Sequence, residues 1–274
     1  MKAWHWNGEA FEPQNSIPVE DRGFRYGMAL FESLPVSRST PLFLKEHLQR
    51  LLFACGEREF RVDEHALFAV GDVLRAAGRD GFARIYVTAG DGSVAASATH
   101  CRVYVTLEER EAPNLEPCSV AIPHEAYRPL FGGLKTANYW ANIDALQRAM
   151  REGKDDALLF NEQAELISGC MANVFVVHRS TIRTPALACG ARNGVIREWV
   201  LNQLHVKQGS LFVEDLQTAD EVFLTNSWLG LHSIGWIGDR KIPSHDLCDR
   251  LTTAYRETIA AATMGEARVS AFTA

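Results

Sequence analysis

A charged segment with two prolines, EEREAPNLEPCS at residues 108–119, separates two apolar-rich halves of a 274-residue chain. Proline has no backbone N–H to donate to a helix or a sheet, so a charged stretch with two prolines predicts a connection between domains. The length accommodates one large domain or two ordinary ones. We therefore predict a small N-terminal domain over residues 1–110, a linker over 111–120 and a larger C-terminal domain over 121–274.

The N-terminal half has the pattern of a mixed α+β unit. Trp4 and Trp6 alternate before Asn7-Gly8, which predicts an opening hairpin, and a further apolar segment, MALFESLPV, follows. Apolar residues at helical spacing predict two helices, in FLKEHLQRLLFACGE and VDEHALFAVGDVLRAAG. FARIYVTAG and THCRVYVTL are rich in aromatic and β-branched residues and predict strands. The segment DRGFRYG is expected to be a turn.

The C-terminal half alternates helices with buried strands. WANIDALQRAMREG predicts a helix that ends at Gly153, and GVIREWVLNQLH predicts another that starts just after a glycine. The runs DALLF, NVFVVHR and DEVFLTN predict buried strands, and HDLCDRLTTAYRETIAAATMG predicts a closing amphipathic helix.

Composition argues against several classes of protein. A net charge of −6 and a pI near 5.9 provide no broad basic surface, so we expect no nucleic-acid partner. No run approaches the ~20 apolar residues that span a bilayer, and the N-terminus has no signal-peptide pattern. The cysteines include no close C-x-x-C pair and the histidines no ligand spacing. We expect reduced thiols, a cytoplasmic protein, no membrane insertion and no metal site.

One lysine is unusual for its position. GGLKTANYW, residues 132–140, holds the only lysine between Lys45 and Lys154, in a chain with 22 arginines and 6 lysines. An amine can lose its proton and act as a base or a nucleophile, whereas a guanidinium stays protonated. Lys135 is therefore either a reactive amine or an exposed charge on a loop.

Four other positions also have two interpretations. Arg50 in HLQRL is either an anion ligand or a surface residue along a leucine-rich face. Gly194, just before a helix, either forms part of a phosphate site or only marks the break between two structural elements. Asn173 and Ser227 either contact a ligand or mark the ends of strands.

Taken in order, DRGFRYG, HLQRL, KTANY, MANVF, NGVIR and ADEVFLTNS resemble the motifs of the class IV aminotransferases, pyridoxal-phosphate enzymes of fold type IV. That family includes branched-chain aminotransferases, D-amino-acid aminotransferases and aminodeoxychorismate lyases. The resemblance runs from about residue 4 to residue 240. It implies an α+β fold whose small N-terminal domain and larger C-terminal domain, with a barrel-like β core, enclose the cofactor pyridoxal 5'-phosphate.

The resemblance also implies roles for individual residues. Lys135 would form the Schiff base with the cofactor and move protons at the substrate carbon. Arg50 would bind the cofactor phosphate, together with the backbone N–H groups of Val195 and Ile196 just after Gly194. Further cofactor contacts are implied at Tyr139, Ser168, Asn173 and Ser227.

Three residues are candidate substrate contacts. Arg84 stands where branched-chain aminotransferases keep an arginine that binds the substrate carboxylate. Tyr86 would lie on the same strand face by the period of two, and Phe31 is the third candidate. D-amino-acid aminotransferases carry an arginine and a histidine just past this strand. GDGSVAASATH has no arginine, which argues against the D-specific subgroup.

The chain departs from the family at one position. The family has a glutamate five residues before the asparagine of the N-x-F strand, where it hydrogen-bonds the pyridine nitrogen; the same count from Asn173 gives Ser168. Serine cannot supply the charge that keeps this nitrogen protonated. Glu165 would lie on the opposite strand face unless a β-bulge intervened. We therefore predict a largely neutral pyridine nitrogen, which favours elimination.

Two reactions stay open. NGVIR has an aliphatic residue where branched-chain enzymes usually place threonine, and TNSWLGLHSIGWI is more like the matching stretch of aminodeoxychorismate lyases. We expect aminodeoxychorismate-lyase-like elimination on an amino-bearing carboxylate, with branched-chain-type amino-acid transamination as the alternative. A cofactor-binding protein with decayed activity is a third alternative. The family also implies a homodimer with the active site near the subunit interface.

Overall fold

The structure is a computed structural model that describes residues 1–271, with the side chains of residues 1–264. The chain divides into two compact units. The first comprises Met1–Ala112, Lys135–Ala137 and the chain from Thr258 onward, and the second comprises Pro113–Leu134 and Asn138–Glu257. The domain limits predicted from the sequence stay a prediction, and residues 272–274 of the predicted C-terminal domain lie outside the described residues.

An antiparallel sheet of six strands forms the centre of the first unit. Its strands are β1 (Lys2–Trp6), β2 (Phe11–Pro13), β3 (Ala29–Ser37), β4 (Thr40–Pro41), β5 (Gly81–Thr88) and β6 (Arg102–Glu108). Their order in the sheet is β2-β1-β6-β5-β3-β4. Trp4 and Trp6 pair with Pro13 and Phe11, so the opening hairpin is confirmed. Both predicted strands of this half are confirmed as β5 and β6.

Helices of the first unit pack leucines into its core. They are α1 (Arg22–Tyr26), α2 (Leu44–Glu57) and α3 (Glu64–Ala76). Leu51 of α2 and Leu67 and Leu74 of α3 are at most 1% exposed, and both predicted helices are confirmed. Burial of such a side chain contributes about 1.5–3 kcal/mol, which is more than helix propensity provides.

The segment predicted to be a turn instead forms the short helix α1. The Asp21 carboxylate accepts a hydrogen bond from Gly23 N, and Gly27, at φ 67°, ends the helix in the left-handed conformation. Arg22 is buried and donates to the carbonyls of Ala89 and Gly90. Capping at both ends and the buried guanidinium stabilise a helix that is too short to form by propensity alone.

The second unit is built on a sheet of nine strands. They are β7 (Cys118–Ala121), β8 (Asp156–Phe160), β9 (Leu166–Gly169), β10 (Asn173–His178), β11 (Thr181–Pro185), β12 (Val206–Gly209), β13 (Glu221–Asn226), β14 (Gly230–Ile237) and β15 (Arg240–Lys241). The order is β12-β11-β10-β13-β14-β7-β8-β9, with β15 beside β14. Leu166 N of β9 donates to Leu211 O, and Gly169 N donates to Ala172 O. Because Leu211 follows β12 and Ala172 precedes β10, these bonds curl the sheet into the expected barrel-like core.

Valine, leucine and isoleucine fill this curled sheet. Val120, Leu158, Val174, Val222 and Ile234, from five strands, have no exposed surface. The predicted strands DALLF, NVFVVHR and DEVFLTN are confirmed as β8, β10 and β13.

Four helices complete the chain. They are α4 (Trp140–Arg151), α5 (Val195–Gln203), α6 (Val213–Gln217) and α7 (Asp246–Ala271). The predicted helices after the lysine and after Gly194, and the closing helix, are confirmed as α4, α5 and α7. Within residues 1–271, none of the helices combines the length and the apolar character that a membrane span requires.

Candidate active site

Lys135 lies on a short extended segment that is bonded to the edge of β3. Phe31 N donates to Lys135 O at 3.0 Å, and Ala137 N donates to Ala29 O at 2.9 Å. The lysine side chain is half-buried, and its Nζ lies 3.9 Å from the centroid of the Phe31 ring. The backbone on both sides of this amine is therefore fixed by the sheet of the first unit.

The three candidate substrate contacts share one face of that sheet. Phe31 and Tyr86 are cross-strand partners, and their rings stack with centroids 5.5 Å apart. Arg84 lies two residues before Tyr86 on β5 and pairs with Glu108 of β6, with 3.0 Å between Nη1 and Oε2. Lys135 and the three candidates therefore belong to one side of β3 and β5, with the guanidinium already paired to a carboxylate.

Glu32, on the opposite face of β3, holds two residues of α2. Its carboxylate accepts from Arg50 Nε at 2.6 Å and from Arg50 Nη2 at 2.7 Å, a bidentate ion pair. The second oxygen also lies 2.7 Å from His47 Nδ1. The side chains of Glu32 and His47 are each only 1% exposed, whereas that of Arg50 is 19% exposed. Arg50, the predicted phosphate ligand, is thus oriented by a buried carboxylate.

The charges in this cluster follow from its geometry. Burial alone would raise the pKa of Glu32, but Arg50 and His47 together hold that pKa far below its usual range. Burial lowers the pKa of His47, assisted by the positive charges of Arg50 and Lys135. His47 is therefore neutral near pH 7, and its Nδ1–H donates to the Glu32 carboxylate.

In the second unit, α5 begins at an open N-terminus. Gly194 is the N-cap residue, and no side chain caps the helix there. The side chains of Val195 and Ile196 are buried, so the groups that this helix end can offer a ligand are main-chain N–H groups. A Cβ on Gly194 would lie 2.0 Å from Asn173 Oδ1. Glycine is required here because Asn173, at the start of β10, packs directly against it.

Tyr139 and Arg192 form a contact within the second unit. Arg192 Nη1 donates to Tyr139 Oη at 2.5 Å, and Nε donates to Gly133 O at 3.2 Å. Tyr139 is the N-cap residue of α4 and is half-buried. One guanidinium therefore holds the chain on both flanks of the Lys135 segment.

Ser168 lies on β9, opposite Leu159 of β8, and is half-buried. The pairing register shifts by one residue between Leu159 and Phe160, so β9 does contain a bulge. Glu165 precedes β9, and its carboxylate accepts hydrogen bonds from Ser210 Oγ and, at 2.8 Å, from Asn161 Nδ2. The bulge breaks the strict alternation on which the sequence analysis relied, so the strand period does not by itself put Glu165 and Ser168 on opposite faces. The two hydrogen bonds hold the Glu165 carboxylate at the turn before the strand.

Ser227 follows β13 in the turn that leads to β14. Asn226 Oδ1 accepts from Trp228 N and Leu229 N at 2.9 and 2.8 Å, which fixes this turn around Ser227. No group of three or more His, Cys, Asp or Glu side chains could hold a metal ion among the residues with described side chains.

The predicted site residues therefore fall into two sets. Phe31, Arg50, Arg84, Tyr86 and Lys135 belong to the first unit, and the second unit holds Tyr139, Ser168, Asn173, Gly194, Val195, Ile196 and Ser227. The sequence analysis missed Glu32 and Arg192. The sequence did contain a feature that could have identified Glu32. A carboxylate inside the apolar run MALFESLPV must find a partner when that strand is buried. No such feature identifies Arg192 in the sequence, because its partners lie more than 50 residues away.

Comparison with known proteins gives a family match over most of the chain. The family model for amino-transferase class IV matches residues 29–236. The aminodeoxychorismate lyase of Bacillus subtilis is 27% identical over 242 residues, which cover 81% of this chain and 83% of the relative.

Solved structures give the same fold. The 4-amino-4-deoxychorismate lyase from Pseudomonas aeruginosa has a TM-score of 0.84 and 27% identity, covering 93% of this chain and 98% of that one. The branched-chain aminotransferase from Thermoproteus uzoniensis also has a TM-score of 0.84, at 21% identity and 93% coverage of both chains. The α+β architecture with a barrel-like core is thus that of fold type IV. The chain belongs to the class IV aminotransferase family of enzymes.

Proposed function

We propose that this chain is a pyridoxal-phosphate enzyme that eliminates a group from an amino-bearing carboxylate, in the manner of the aminodeoxychorismate lyases. Its cofactor is pyridoxal 5'-phosphate. The observation that carries the proposal is the Lys135 amine, half-buried over the Phe31 ring on a segment bonded to β3. An amine in a fixed position can bind a carbonyl group and then move a proton to and from a substrate carbon.

The residues present suit a phosphorylated cofactor. The open N-terminus of α5 supplies main-chain donors where a phosphate would gain most from the helix dipole. Arg50 supplies a guanidinium whose orientation Glu32 fixes. Tyr139 supplies a phenol close in the chain to Lys135. Bound pyridoxal phosphate supplies an electron sink for the pair left on the substrate carbon when its proton is removed.

We predict that Gly194→Ala weakens binding of pyridoxal phosphate by about tenfold or more, equivalent to the loss of at least one good hydrogen bond to a charged group. The new methyl group would displace Asn173, whose Nδ2 is bonded to Arg192 O, and with it the start of α5. Fluorescence titration of the apoprotein measures the affinity. Gly209→Ala is the matched control, since a Cβ there meets nothing within 4 Å. Equal affinities of the two variants would contradict the assignment.

Elimination is supported by Ser168. A serine hydroxyl carries no charge, so the chain offers no carboxylate at the position where the family keeps one. In an elimination the electrons leave with the departing group, whereas in a transamination the cofactor ring must hold them. Elimination therefore demands less stabilisation of negative charge on the ring. The lyases from Bacillus subtilis and Pseudomonas aeruginosa, each 27% identical, support the same choice.

Amino-acid transamination of the branched-chain type is the second candidate. Phe31, Arg84 and Tyr86 share a face of the first unit's sheet with Lys135, which favours it. An arginine and a tyrosine on that face are suitable ligands for a substrate carboxylate, and the aromatic rings suit an apolar side chain. Transamination would use these same side chains, but Lys135 would return the proton to a carbon of the cofactor instead of assisting the departure of a group.

Substrate assays on the holoenzyme separate the two candidates. We expect pyruvate release from aminodeoxychorismate, and little conversion of the bound cofactor to its pyridoxamine form by single branched-chain amino acids. Conversion by branched-chain amino acids without pyruvate release would establish transamination instead.

Substitutions at Ser168 test the same choice between elimination and transamination. We expect Ser168→Glu to raise cofactor conversion by amino acids relative to pyruvate release, because a carboxylate would favour a charged ring nitrogen. Ser168→Ala tests whether the hydroxyl itself matters. If Ser168→Ala left the rate and the absorption spectrum of the cofactor untouched, Ser168 would have no part in the chemistry.

The active form is proposed to be a homodimer in the cytoplasm. Leu130, Phe131 and Trp140 of the second unit are exposed, and Trp140 is 86% exposed. Apolar side chains so close in sequence to Lys135 would be covered by a second copy. All six cysteines are free thiols, which suits a reducing compartment.

A further inference from the structure

Arg197 is a buried cation in the first turn of α5, and the proposed function gives it no role. Only 1% of the residue is exposed. Its Nη2 donates to Gln208 Oε1 at 2.7 Å and to Pro185 O at 3.1 Å, and its Nη1 lies 3.4 Å from Asn193 Oδ1. These acceptors are all neutral. Within residues 1–264, whose side chains are described, Nε has no hydrogen-bond partner and no carboxylate pairs with the guanidinium.

The charge of Arg197 stands at the unfavourable end of its helix. Burial lowers the pKa of the guanidinium but leaves it protonated near pH 7. Because α5 begins at Val195, Arg197 is its third residue, where the free main-chain N–H groups and the helix dipole are already positive. Glu198 is the acidic group whose charge acts on Arg197, but it is exposed, so water and salt screen it. A buried cation at this end costs free energy that a bound anion would offset.

The Arg197 side chain reaches back toward the residues that precede α5. Side chains on a helix lean toward its N-terminus, and Nη1 contacts Asn193, the residue before the N-cap Gly194. A Cβ on Gly194 would lie 3.4 Å from Arg197 Cβ, so Arg197 packs against the N-cap residue. The bonds to Pro185 of β11 and Gln208 of β12 fix the other side of the guanidinium. The cation is therefore held within one turn of the open helix end.

An anion at the N-terminus of α5 would resolve both features. It would accept from the main-chain N–H groups and would lie in the field of the buried guanidinium. We propose that Arg197 is a positioning residue for the cofactor phosphate: its charge strengthens phosphate binding at this helix end, and its contact with Asn193 holds the loop that leads into the helix. Every residue in this argument belongs to the second unit. The inference rests on the proposed function, which assigns the phosphate to α5.

Arg240 is a matched cation at a different place in the second unit. It is half-buried on β15, and its Nη2 donates to Ala219 O at 2.7 Å. Among the described side chains its Nη1 has no partner, so it too binds only a neutral oxygen. Ala219 precedes β13 and is not part of α5. A substitution at Arg240 therefore removes a similar charge without changing the N-terminus of α5.

Fluorescence titrations of the apoprotein with pyridoxal phosphate and with pyridoxal test the inference. The two ligands share the ring and the aldehyde, so the ratio of their affinities isolates the contribution of the phosphate. We expect Arg197→Gln to weaken binding of pyridoxal phosphate by about tenfold and that of pyridoxal by less than about twofold. Arg197→Lys keeps the charge and should retain the affinity for pyridoxal phosphate within about threefold. Arg240→Gln should leave both affinities at their wild-type values.

Gln208→Glu tests the charge with Arg197 left in place. The new carboxylate would take the position of the Gln208 amide, 2.7 Å from Arg197 Nη2, and form an ion pair with it. Gln208 is exposed, so the variant should fold. We expect it to weaken binding of pyridoxal phosphate as much as Arg197→Gln does and to leave pyridoxal binding unchanged. Gln203→Glu, which adds the same charge at the last residue of α5, is the control and should change neither affinity.

Two results would overturn the inference. One is an equal loss of affinity for both ligands in Arg197→Gln, which would mark a purely structural residue, and the other is an unchanged affinity for pyridoxal phosphate in Gln208→Glu. If Arg197→Gln did not fold, Gln208→Glu would decide. A wild-type protein that binds pyridoxal phosphate no more tightly than pyridoxal would remove the proposed phosphate site and this inference together. A wild-type preference for pyridoxal phosphate that persisted in both variants would remove the inference alone.

Discussion

Lys135→Ala should lower kcat by more than about 10³-fold, because the variant loses both the amine that binds the cofactor and the base that moves the substrate proton. The visible absorption band of the holoenzyme should disappear with it. Folding should be nearly unchanged, since the side chain is half-buried while the hydrogen bonds to β3 are made by the main chain. Steady-state kinetics and thermal unfolding followed by circular dichroism measure the two effects.

Two further variants test whether the loss of activity is due to the amine of Lys135 and not to its charge or to the loss of any lysine. Lys135→Arg keeps the positive charge over Phe31 but replaces the amine with a group that stays protonated, so it should be as inactive as Lys135→Ala. Lys45→Ala removes an exposed lysine from α2 in the same unit and should leave kcat within twofold. Activity in Lys135→Arg above a tenth of the wild-type value would show that charge, and not the amine, is what the reaction needs.

Glu32→Ala should destabilise the protein by about 3–5 kcal/mol, the usual cost of removing one partner of a buried ion pair. Its carboxylate is the anion between Arg50 and His47, and both would lose a hydrogen bond inside the first unit. Equilibrium unfolding in guanidinium chloride measures the change. Glu108→Ala is the matched control, because that carboxylate pairs with Arg84 near the surface and should contribute about 0–1 kcal/mol.

The Glu32 effect should depend on pH in a defined direction. The folded state lowers the pKa of Glu32 from its ordinary value of 4.5, so the stabilisation is complete above that pH and is lost as the pH falls below it. The difference in unfolding free energy between wild type and Glu32→Gln should therefore be largest near pH 7 and shrink below pH 4.5. A difference that stayed constant from pH 7 to pH 3 would mean that the ionised carboxylate is not the source of the stability.

Much of the fold could be predicted because its main elements repeat simple patterns. Leucines at helical spacing define α2 and α3, and short apolar runs define β8, β10 and β13. Several strands of the second unit were not predicted, and β9 and β12 show why. β12 is VKQG, whose alternation is hidden by polar, largely exposed residues, and β9 is only four residues long with a bulge. The order of strands depends on pairing between distant segments, which periodicity does not encode.

The candidate site was predicted unevenly for a related reason. Lys135 and Gly194 are candidates because ordered motifs surround them, and Arg50 is a candidate because HLQRL resembles a motif of the family. The partner of Arg50 was not found, since Glu32 lies 18 residues earlier on a strand. Contacts such as these depend on which strand and helix the fold brings together. A charged residue within an apolar strand is the signal that would have pointed to Glu32.

Borohydride reduction of the holoenzyme, followed by peptide mass spectrometry, tests the central claim most directly. Reduction makes the bond between the cofactor and its lysine permanent, so the modified peptide identifies the residue. The account predicts a phosphopyridoxyl group on the peptide that contains Lys135 and on none of the peptides with the other five lysines. Modification of a different lysine, or of none, would contradict it.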